Sequence, residues 1–305
     1  MNRILDIITK PKLHLYSYIN RRFRHYLPDK QYLKILYYIK TGKKLNLKNP
    51  NGYREKIQWL KLYDRNPRYT RLVDKYLVKE YVSHVIGEEH IVPTLFVWDS
   101  PGEVDFEALP EQFVLKCNHN SHLGLCICSN KKEFDVIAAR KELWRGYNDD
   151  YYKRSREWAY KDVKRKIIAE TFLMDGTSIG ENVLTDYKFF CFDGIAKIMY
   201  VSKDIAKDPR TDFFDMQFNH LSIHMQDKNA DIIPNKPAFF EEMRADAEKL
   251  AKDIPFVRVD FYIANGQYYF GEMTFYPSSG LAPMNPEEWD RIIGNWITLP
   301  EKKRG

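Results

Sequence analysis

The stretch "RVDFYIANGQYYFGEMTF", residues 258–275, sets ionisable groups into two runs that otherwise read as apolar strands. Strand periodicity puts Val257, Val259, Phe261 and Ile263 on one face and Arg258, Asp260 and Tyr262 on the other. Beyond an Asn265-Gly266 turn, Tyr269, Met273 and Phe275 continue the apolar face, with Glu272 and Thr274 opposite them. A carboxylate so placed is costly unless a cation or a metal ion compensates it. Two on one hairpin face suit a divalent cation. That requirement bears on register. A two-residue turn would set Glu272 opposite Val259, among apolar side chains. A three-residue loop, Ala264-Asn265-Gly266 with Gly266 left-handed, sets Glu272 opposite Arg258 and gathers Arg258, Asp260, Glu272 and Thr274 on one face. The sequence therefore predicts an odd-length turn.

Cations stand at three further places. Lys116 ends the apolar run "FVLKC" and precedes the small, polar "NHNSHLG", whose backbone amides could curl around oxygen atoms. Lys75 in "VDKY" and Lys188 in "DYKFF" flank apolar elements. Three lysines, two acids and Arg258 match what a nucleoside triphosphate needs: cations on phosphates, carboxylates on magnesium, an arginine for a developing oxyanion. His119 and His122 lie three apart in the same polar loop and read as loop hydrogen-bonding residues, since no third ligand is near. Cys126-x-Cys128 could be half a metal site, but no second pair completes it, and Cys117 and Cys191 stand alone in strands.

The elements that must position these groups form an α+β chain. Helical periodicity runs to about Ile86, including "QYLKILYYIK" and one helix over "TRLVDKYLVKEYVSHVIG" stopped by Gly87. Strands follow at 112–117 and 125–128, a helix over 131–147, and a strand at 166–173. Asp193-Gly194 turns a hairpin over 186–202. A polar insert with "PRTDFFDMQFNH" and a helix over "AFFEEMRADAEKLAKDI" lead into the hairpin of residues 258–275.

At 305 residues, 30% charged and 15% aromatic, the chain is an ordered globular protein with room for a large core. No run reaches a membrane span, and "ILDIITK" is too short and acid-interrupted for a signal peptide, so a cytoplasmic location is expected. The net charge of +6 concentrates early. Residues 1–50 carry Arg3, Lys10, Lys12, Arg21, Arg22, Arg24, Lys30, Lys34, Lys40, Lys43, Lys44 and Lys48 against Asp6 and Asp29, interleaved with tyrosine and leucine. This segment reads as a helix packed on the main body, as one at an anionic membrane surface or, third, as a nucleic-acid contact. No nucleic-acid recognition module follows it.

"VDKYLVKEYV", "FVLKCNHNS…G", "IIAETFL", "DYKFFCFDG" and "RVDFY…NGQYYFGEMTFYPSSG", in this order, resemble the ATP-grasp superfamily, most closely its teichuronopeptide-biosynthesis (TupA-like) branch, found with surface-polysaccharide genes. The leading "YLKILYYIKTGKKLNLKNPNGYREKIQWLKLYDRNPRYTRLVDKY" is similar to the same branch, so the resemblance covers nearly the whole chain. It implies an ATP-grasp fold, two α+β subdomains clasping ATP behind a helical basic N-terminal segment. The expected divisions are a basic segment 1–50, a helical lead-in 51–112, a lid subdomain 113–175 and a catalytic subdomain 176–300. By position, Lys75 and Lys116 would hold the nucleotide phosphates under a flap from Asn118 through Ser121 to Gly124. Glu170, at a hinge after a strand, would lie beside adenine and ribose. Asp186 and Lys188 would enter the site from the next hairpin as an acid and a base contacting the nucleotide, Lys188 also as a catalytic residue. Asp260 and Glu272 would hold Mg2+ with Thr274, Arg258 would steady the acyl-transfer intermediate, and Ser278, Ser279 and Gly280 would line the acceptor site.

The chain departs from the family pattern twice. Glu272-Met273-Thr274 stands where many relatives read Glu-x-Asn, offering a hydroxyl in place of an amide carbonyl. A short helical segment replaces the usual leading Rossmann-like domain, so the substrate cannot be inherited. The activity implied is ATP-dependent ligation of a carboxylate to an amine, giving ADP and phosphate. The partners would be a small-molecule or lipid-linked sugar carboxylate and an amino acid or amine. A sugar kinase or glycosyltransferase of the same pathway and a non-catalytic nucleotide-binding module are the alternatives. The first lacks a visible Asp-x-Asp, and retained Arg258, Asp260 and Glu272 oppose the second.

Overall fold

The computed structural model describes residues 11–121, 123–174, 184–203, 209–225 and 227–302. His122, the first ten residues and the linker at 175–183 lie outside them. In chain order the elements begin with helices α1 (Pro11–Phe23), α2 (Asp29–Thr41), α3 (Tyr53–Tyr63), α4 (Arg68–Val73) and α5 (Val78–Ile86). Strands β1 (Thr94–Trp98), β2 (Phe113–Cys117) and β3 (Leu125–Cys128) follow, then α6 (Val136–Tyr147), α7 (Tyr151–Ser155) and β4 (Ile167–Thr171). The second half holds β5 (Asp186–Phe192), β6 (Ile195–Lys203), β7 (Arg210–Asp215), β8 (His220–Leu221) and β9 (His224–Met225). It ends with α8 (Phe240–Leu250), β10 (Val257–Ala264), β11 (Gln267–Thr274), β12 (Met284–Asn285) and α9 (Glu288–Trp296).

Three antiparallel sheets result among the described residues: a smaller, four-stranded one in the order β1-β4-β2-β3, a larger, six-stranded one in the order β11-β10-β5-β6-β7-β8, and the short pair β12-β9. The smaller sheet buries Phe113, Leu115, Cys117, Cys126 and Cys128 against Ala139 and Leu143 of α6, so the cysteine pair is core, and all four cysteines are free. Under the larger sheet, Phe240, Met243, Ala247 and Leu250 of α8 lie at helical spacing and pack on Phe189, Val259 and Phe261. Both sheets exceed what the sequence showed. β1 lies in the stretch read as a helical lead-in, and β7 extends the larger sheet where the sequence suggested a polar insert.

The helix expected over residues 70–87 is broken. Asp74 turns its carboxylate back onto the backbone N–H groups of Tyr76 and Leu77, at 2.9 and 3.2 Å, ending α4 and opening α5 one turn later. Lys75 thereby sits in the break, its own N–H bonded to the Asn118 carbonyl.

The hairpin corrects the predicted turn. Ala264 pairs with Gln267 across a two-residue loop, with Asn265 (φ 52°) and Gly266 (φ 76°) both left-handed, the favoured Asn-Gly geometry. Positive φ at Gly266 is as expected; the odd length is not. The register is restored further on by a β-bulge, since Phe261 pairs with Phe270 but Asp260 with Glu272, leaving Gly271 over. Glu272 thus faces Asp260 rather than Arg258, and Arg258 pairs with Thr274. The bulge also lets Phe270 and Met273 share the core face, while Tyr269 joins a separate small cluster.

At the N-terminus, α2 buries Tyr32, Leu33, Leu36 and Tyr37 against Leu62 and Leu281. Its connection to α1 is held by the buried Arg156, which donates to the carbonyls of Arg24 (2.6 Å) and Leu27 (3.0 Å), pairs with Asp29 and lies over the Tyr32 ring. The basic segment therefore packs on the body. α1 nevertheless leaves Leu15, Tyr18 and Phe23 exposed. No helix among the described residues is long and apolar enough to cross a membrane.

Candidate active site

β10 and β11 bring Arg258, Asp260, Glu272 and Thr274 onto one face, and β5 adds Lys188, paired with Asp260 in the sheet. Asp260 is fully buried and holds Arg258 with both oxygens, Nε at 2.7 Å and Nη2 at 2.6 Å. Lys188 donates to the same carboxylate at 2.8 Å and stands 3.2 Å from Asp186. Arg258 Nη2 also reaches Glu272 at 3.3 Å and the Thr274 hydroxyl at 3.1 Å, and that hydroxyl donates to Glu272 at 3.0 Å. Nη1 donates to the Tyr200 hydroxyl at 3.1 Å. Across the gap, Lys75 lies 3.6 Å from Glu272 and donates to the Asn120 carbonyl at 2.8 Å.

Lys75, Lys188 and Arg258 thus balance Asp186, Asp260 and Glu272, and the ionisations follow. Burial works to raise the pKa of Glu272, but Lys75, Arg258 and Lys188 outweigh it and bring it down to about 2. Burial holds Asp186 above the usual carboxylate range despite Lys188. For Lys188 burial acts downward, yet Asp260 and Asp186 raise it, so it stays protonated.

Lys116 and Glu170 are brought together on neighbouring strands of the smaller sheet. The sequence put Glu170 at a hinge beside the base, whereas it lies inside β4, buried, gripping Lys116 with one oxygen and Lys79 with the other at 2.6 Å. Lys79 is a site residue that sequence reasoning missed, although it stands only four residues beyond Lys75, in the first turn of α5. Burial alone would raise the pKa of Glu170; Lys116 and Lys79 more than reverse it.

Two residues expected on the nucleotide serve the loop instead. Asn118 is wholly buried, donating to Asp74 and to the Lys164 carbonyl and accepting from the Lys166 N–H. Gly124 is left-handed (φ 70°), a Cβ there would sit 2.4 Å from Cys117 Sγ, and its N–H is bonded to Glu142. Ser121 faces the site. His119 is buried, and burial, with Arg165 and Lys75 nearby, lowers its pKa to about 4, so it is neutral.

Two cavities meet here. One of about 400 Å3, between the sheets, is lined by Lys75, Lys116 and Glu170 and by apolar Val114, Ile127 and Leu173, a slot with a cationic end. The other, about 880 Å3, is lined by Arg258, Thr274, Ser278 and Ser279 and reaches α1. Ser121, Asp186, Lys188 and Glu272 border both. Gly280 lies behind the wall. Ser278, Ser279 and Gly280 are consecutive left-handed residues (φ 47°, 59° and 62°). Gln58 of α3 donates to the carbonyls of Ser279 (3.0 Å) and Gly280 (3.1 Å), and Lys61 to the carbonyl (2.7 Å) and hydroxyl (2.6 Å) of Ser279.

Among the described residues no three His, Cys, Asp or Glu side chains are spaced to hold a metal ion. Magnesium asks for less, since it takes oxygen ligands and is commonly held by one or two carboxylates plus substrate phosphates. Glu272 fits that need, since it borders both cavities with the Thr274 hydroxyl beside it, whereas Asp260 lies behind it in the sheet, lines neither cavity and has both oxygens engaged by Arg258 and Lys188.

A cation-lined slot between two antiparallel sheets, opening onto the carboxylates of Asp186 and Glu272, is the arrangement of an ATP-grasp protein. A profile of the TupA-like ATP-grasp family matches residues 55–298, and the chain belongs to that family. No curated protein matches it. Among solved structures it is similar to D-alanine–D-alanine ligase from Bacillus anthracis complexed with ATP (14% identity, TM-score 0.39), covering 67% of this chain and 54% of that one. For the same ligase from Helicobacter pylori the values are 18% and 0.40, with 75% and 64% covered. For the ATP-grasp ligase PsnB complexed with a phosphomimetic variant of minimal precursor, Mg and ADP they are 10% and 0.36, with 72% and 56%. The chain spans less than two thirds of each of these proteins.

Proposed function

We propose that the chain is an ATP-dependent carboxylate–amine ligase, joining an amino acid or other amine to a uronic acid or similar carboxylate of a bacterial surface polysaccharide. The observation that carries this reading is the junction of the two cavities at Lys188, Asp186 and Glu272. A nucleotide in the smaller cavity with its phosphates toward Lys75 and Lys116 would present its terminal phosphoryl group to a carboxylate in the larger one. In this reading the four-stranded sheet is the lid and the six-stranded sheet the catalytic half.

Such chemistry needs positioning and charge neutralisation. Lys75 and Lys116, each now resting on a carboxylate, would turn to phosphate oxygens. Mg2+ would be held by Glu272 with Thr274, and by Asp260 once one of its oxygens is released from Arg258 or Lys188, and it supplies charge neutralisation on the transferring phosphoryl group. Arg258, fixed by Asp260, Thr274 and Tyr200, points its guanidinium at the larger cavity's wall, where an acyl-phosphate and the oxyanion of amine attack would form. Ser278 and Ser279 would line the acceptor. The exposed Leu15, Tyr18 and Phe23 of α1, beside Arg21 and Arg22, suit peripheral contact with an anionic inner-membrane face, where a lipid-linked precursor would be met.

The test incubates protein and Mg-ATP with candidate uronic acids and an amino-acid panel, reading ADP, phosphate and a new amide by mass. AMP and pyrophosphate as products would overturn the mechanism.

A further inference from the structure

The floor of the larger cavity holds a carboxylate that no role above uses. Glu157 follows Arg156, whose left-handed backbone (φ 56°) ends α7, and it lies at the cavity wall with 3% of its surface exposed. Among the described residues no lysine or arginine lies within ion-pair distance of it. Its contacts are hydroxyl groups: Ser279, Ser155 and Tyr151. The nearest compensating charge is Lys61, itself buried, whose ammonium is spent on the Ser279 hydroxyl and carbonyl, the Ser155 carbonyl at 3.1 Å and the Gln58 side chain at 3.3 Å. Glu157 and Lys61 thus touch the same two serines without touching each other. A buried carboxylate facing a cavity, with its cation one residue removed, is expensive to keep. It is the arrangement expected where a cationic ligand completes the pair.

We propose that Glu157 is the subsite for the incoming amine: it binds the ammonium group through its carboxylate and accepts one proton from it, freeing the nitrogen lone pair for attack. This rests on the ligase reading. The nitrogen then forms its C–N bond to the acyl carbon, the C–O bond to phosphate breaks with its electron pair leaving on phosphate, and the second nitrogen-bound proton leaves with that phosphate. The surroundings suit a primary ammonium. Tyr151 and Tyr160 meet edge to face at 4.7 Å on the same wall; Arg154 already lies over the Tyr151 ring at 4.8 Å, so the wall accepts a cation, and the tyrosine hydroxyls remain for a group with three donors. A divalent metal is a poor occupant, because a single carboxylate with no second acid does not hold one. The groups facing Glu157 are Lys61 from α3, Tyr16 from α1, Tyr151 from α7, and Tyr160 and Tyr276. Burial raises all four tyrosines, so they stay neutral. Burial raises Glu157 against the pull of Lys61 and lowers Lys61 to about 8, the direction that makes the carboxylate a stronger base.

Two measurements test it. First, saturation-transfer NMR with glycine, L-alanine, L-glutamate, ethanolamine and glucosamine, each with Mg-ADP present, should show binding of at least one amine to the full chain. That binding should fall at least tenfold in Glu157→Gln and survive in Glu157→Asp, with ADP affinity and melting temperature as the check on folding. Absence of binding by all five to the unaltered chain, or equal binding by Glu157→Gln, overturns the subsite. Second, hydroxylamine is uncharged at pH 7 and needs no base. With a uronic acid and Mg-ATP, Glu157→Gln should form hydroxamate within a few-fold of the unaltered chain, while its amide formation falls by about 10²–10⁴-fold. Parallel loss of both products makes Glu157 structural and overturns the base role. No hydroxamate from the unaltered chain counts against the ligase reading itself, and the first measurement still decides the subsite.

Discussion

Gly271 is the residue on which the register of the acid pair turns, and replacing it with alanine has a cost that the structure sets. An added Cβ would stand 2.8 Å from Tyr262 Cε2, 3.1 Å from Tyr262 Cζ and 3.1 Å from the Asp260 carbonyl oxygen. The first distance is shorter than a Cβ tolerates, so the Tyr262 ring must move. Overpacking of this kind costs about 1–3 kcal/mol. The backbone at Gly271 is not left-handed, so alanine also recovers about 0.4–1 kcal/mol by restricting the unfolded chain. The net expectation is a loss of about 1–2 kcal/mol of stability. Function should suffer too, because Tyr262 lines the smaller cavity and Asp260 and Glu272 flank the bulge. The assay is urea denaturation together with calorimetric titration of ATP, run on Gly271→Ala, Tyr262→Ala and the double variant. Removing the ring removes the clash, so the cycle should show a favourable coupling of about 1 kcal/mol or more. Gly266→Ala is the control: its φ of +76° makes alanine cost about 1–2 kcal/mol, but nothing lies within 4 Å, so ATP affinity should not change. A Gly271→Ala chain as stable as its parent with no coupling to Tyr262, or a Gly266→Ala chain that loses ATP equally, would refute the reasoning.

Glu272→Gln should abolish ADP formation with the fold intact. Asp260→Asn should do the same but also destabilise the chain by about 3–5 kcal/mol, since it strips the buried partner from Arg258 and Lys188; full turnover in either variant refutes the magnesium assignment. Lys116→Met should weaken ATP binding by about tenfold or more through loss of a charge-assisted contact, whereas Lys79→Met should chiefly lower the melting temperature, because Lys79 ties Glu170 to the Val92 carbonyl and Thr94. Glu272, depressed from 4.5 to about 2, contributes stability that is present above pH 4.5 and is lost as pH falls toward 2. Denaturation at pH 7 should therefore separate the parent from Glu272→Gln by up to about 3 kcal/mol and the gap should close by pH 2. Binding to anionic vesicles should fall steeply with salt and with removal of residues 1–26; indifference to such vesicles at low salt leaves α1 a packing element only.

What the sequence made legible was the chemistry of the hairpin, because alternation alone puts Arg258, Asp260, Glu272 and Thr274 against the apolar grain. It misjudged how they are aligned. The acid pair does need a one-residue shift in register, but the shift does not fall at the loop. The chain keeps the favoured Asn-Gly turn and makes the shift at Gly271, and an isolated glycine within a strand pattern was the available signal. Lys75 shows the same limit. Apolar spacing runs unbroken through "LVDKYLV", and only the Asp74 carboxylate, competing for backbone N–H groups, breaks the helix there. β1 and β7 were missed because their pairing partners, β4 and β6, lie elsewhere in the chain, and short apolar runs do not announce such partners.

Lys61, Gln58 and Glu157 were invisible for a different reason: their meaning depends on a turn more than two hundred residues from α3. Three successive left-handed residues, two of them serines, are a costly backbone that persists only where its surroundings over-determine it. Here Gln58 and Lys61 take up the carbonyls of that turn, and a Cβ at Gly280 would collide with Ile57 and Gln58 themselves. The helix at the start of the family match therefore shapes the wall of the larger cavity as directly as the strands that carry Arg258 and Glu272. The nucleotide side is built differently, from cations resting on carboxylates that a polyphosphate can outbid. One half of the site is thus pinned by hydrogen bonds from a neighbouring helix and the other held by ion pairs, the division that the proposed ligase would need for ATP to bind and leave beside an acceptor pocket that keeps its shape.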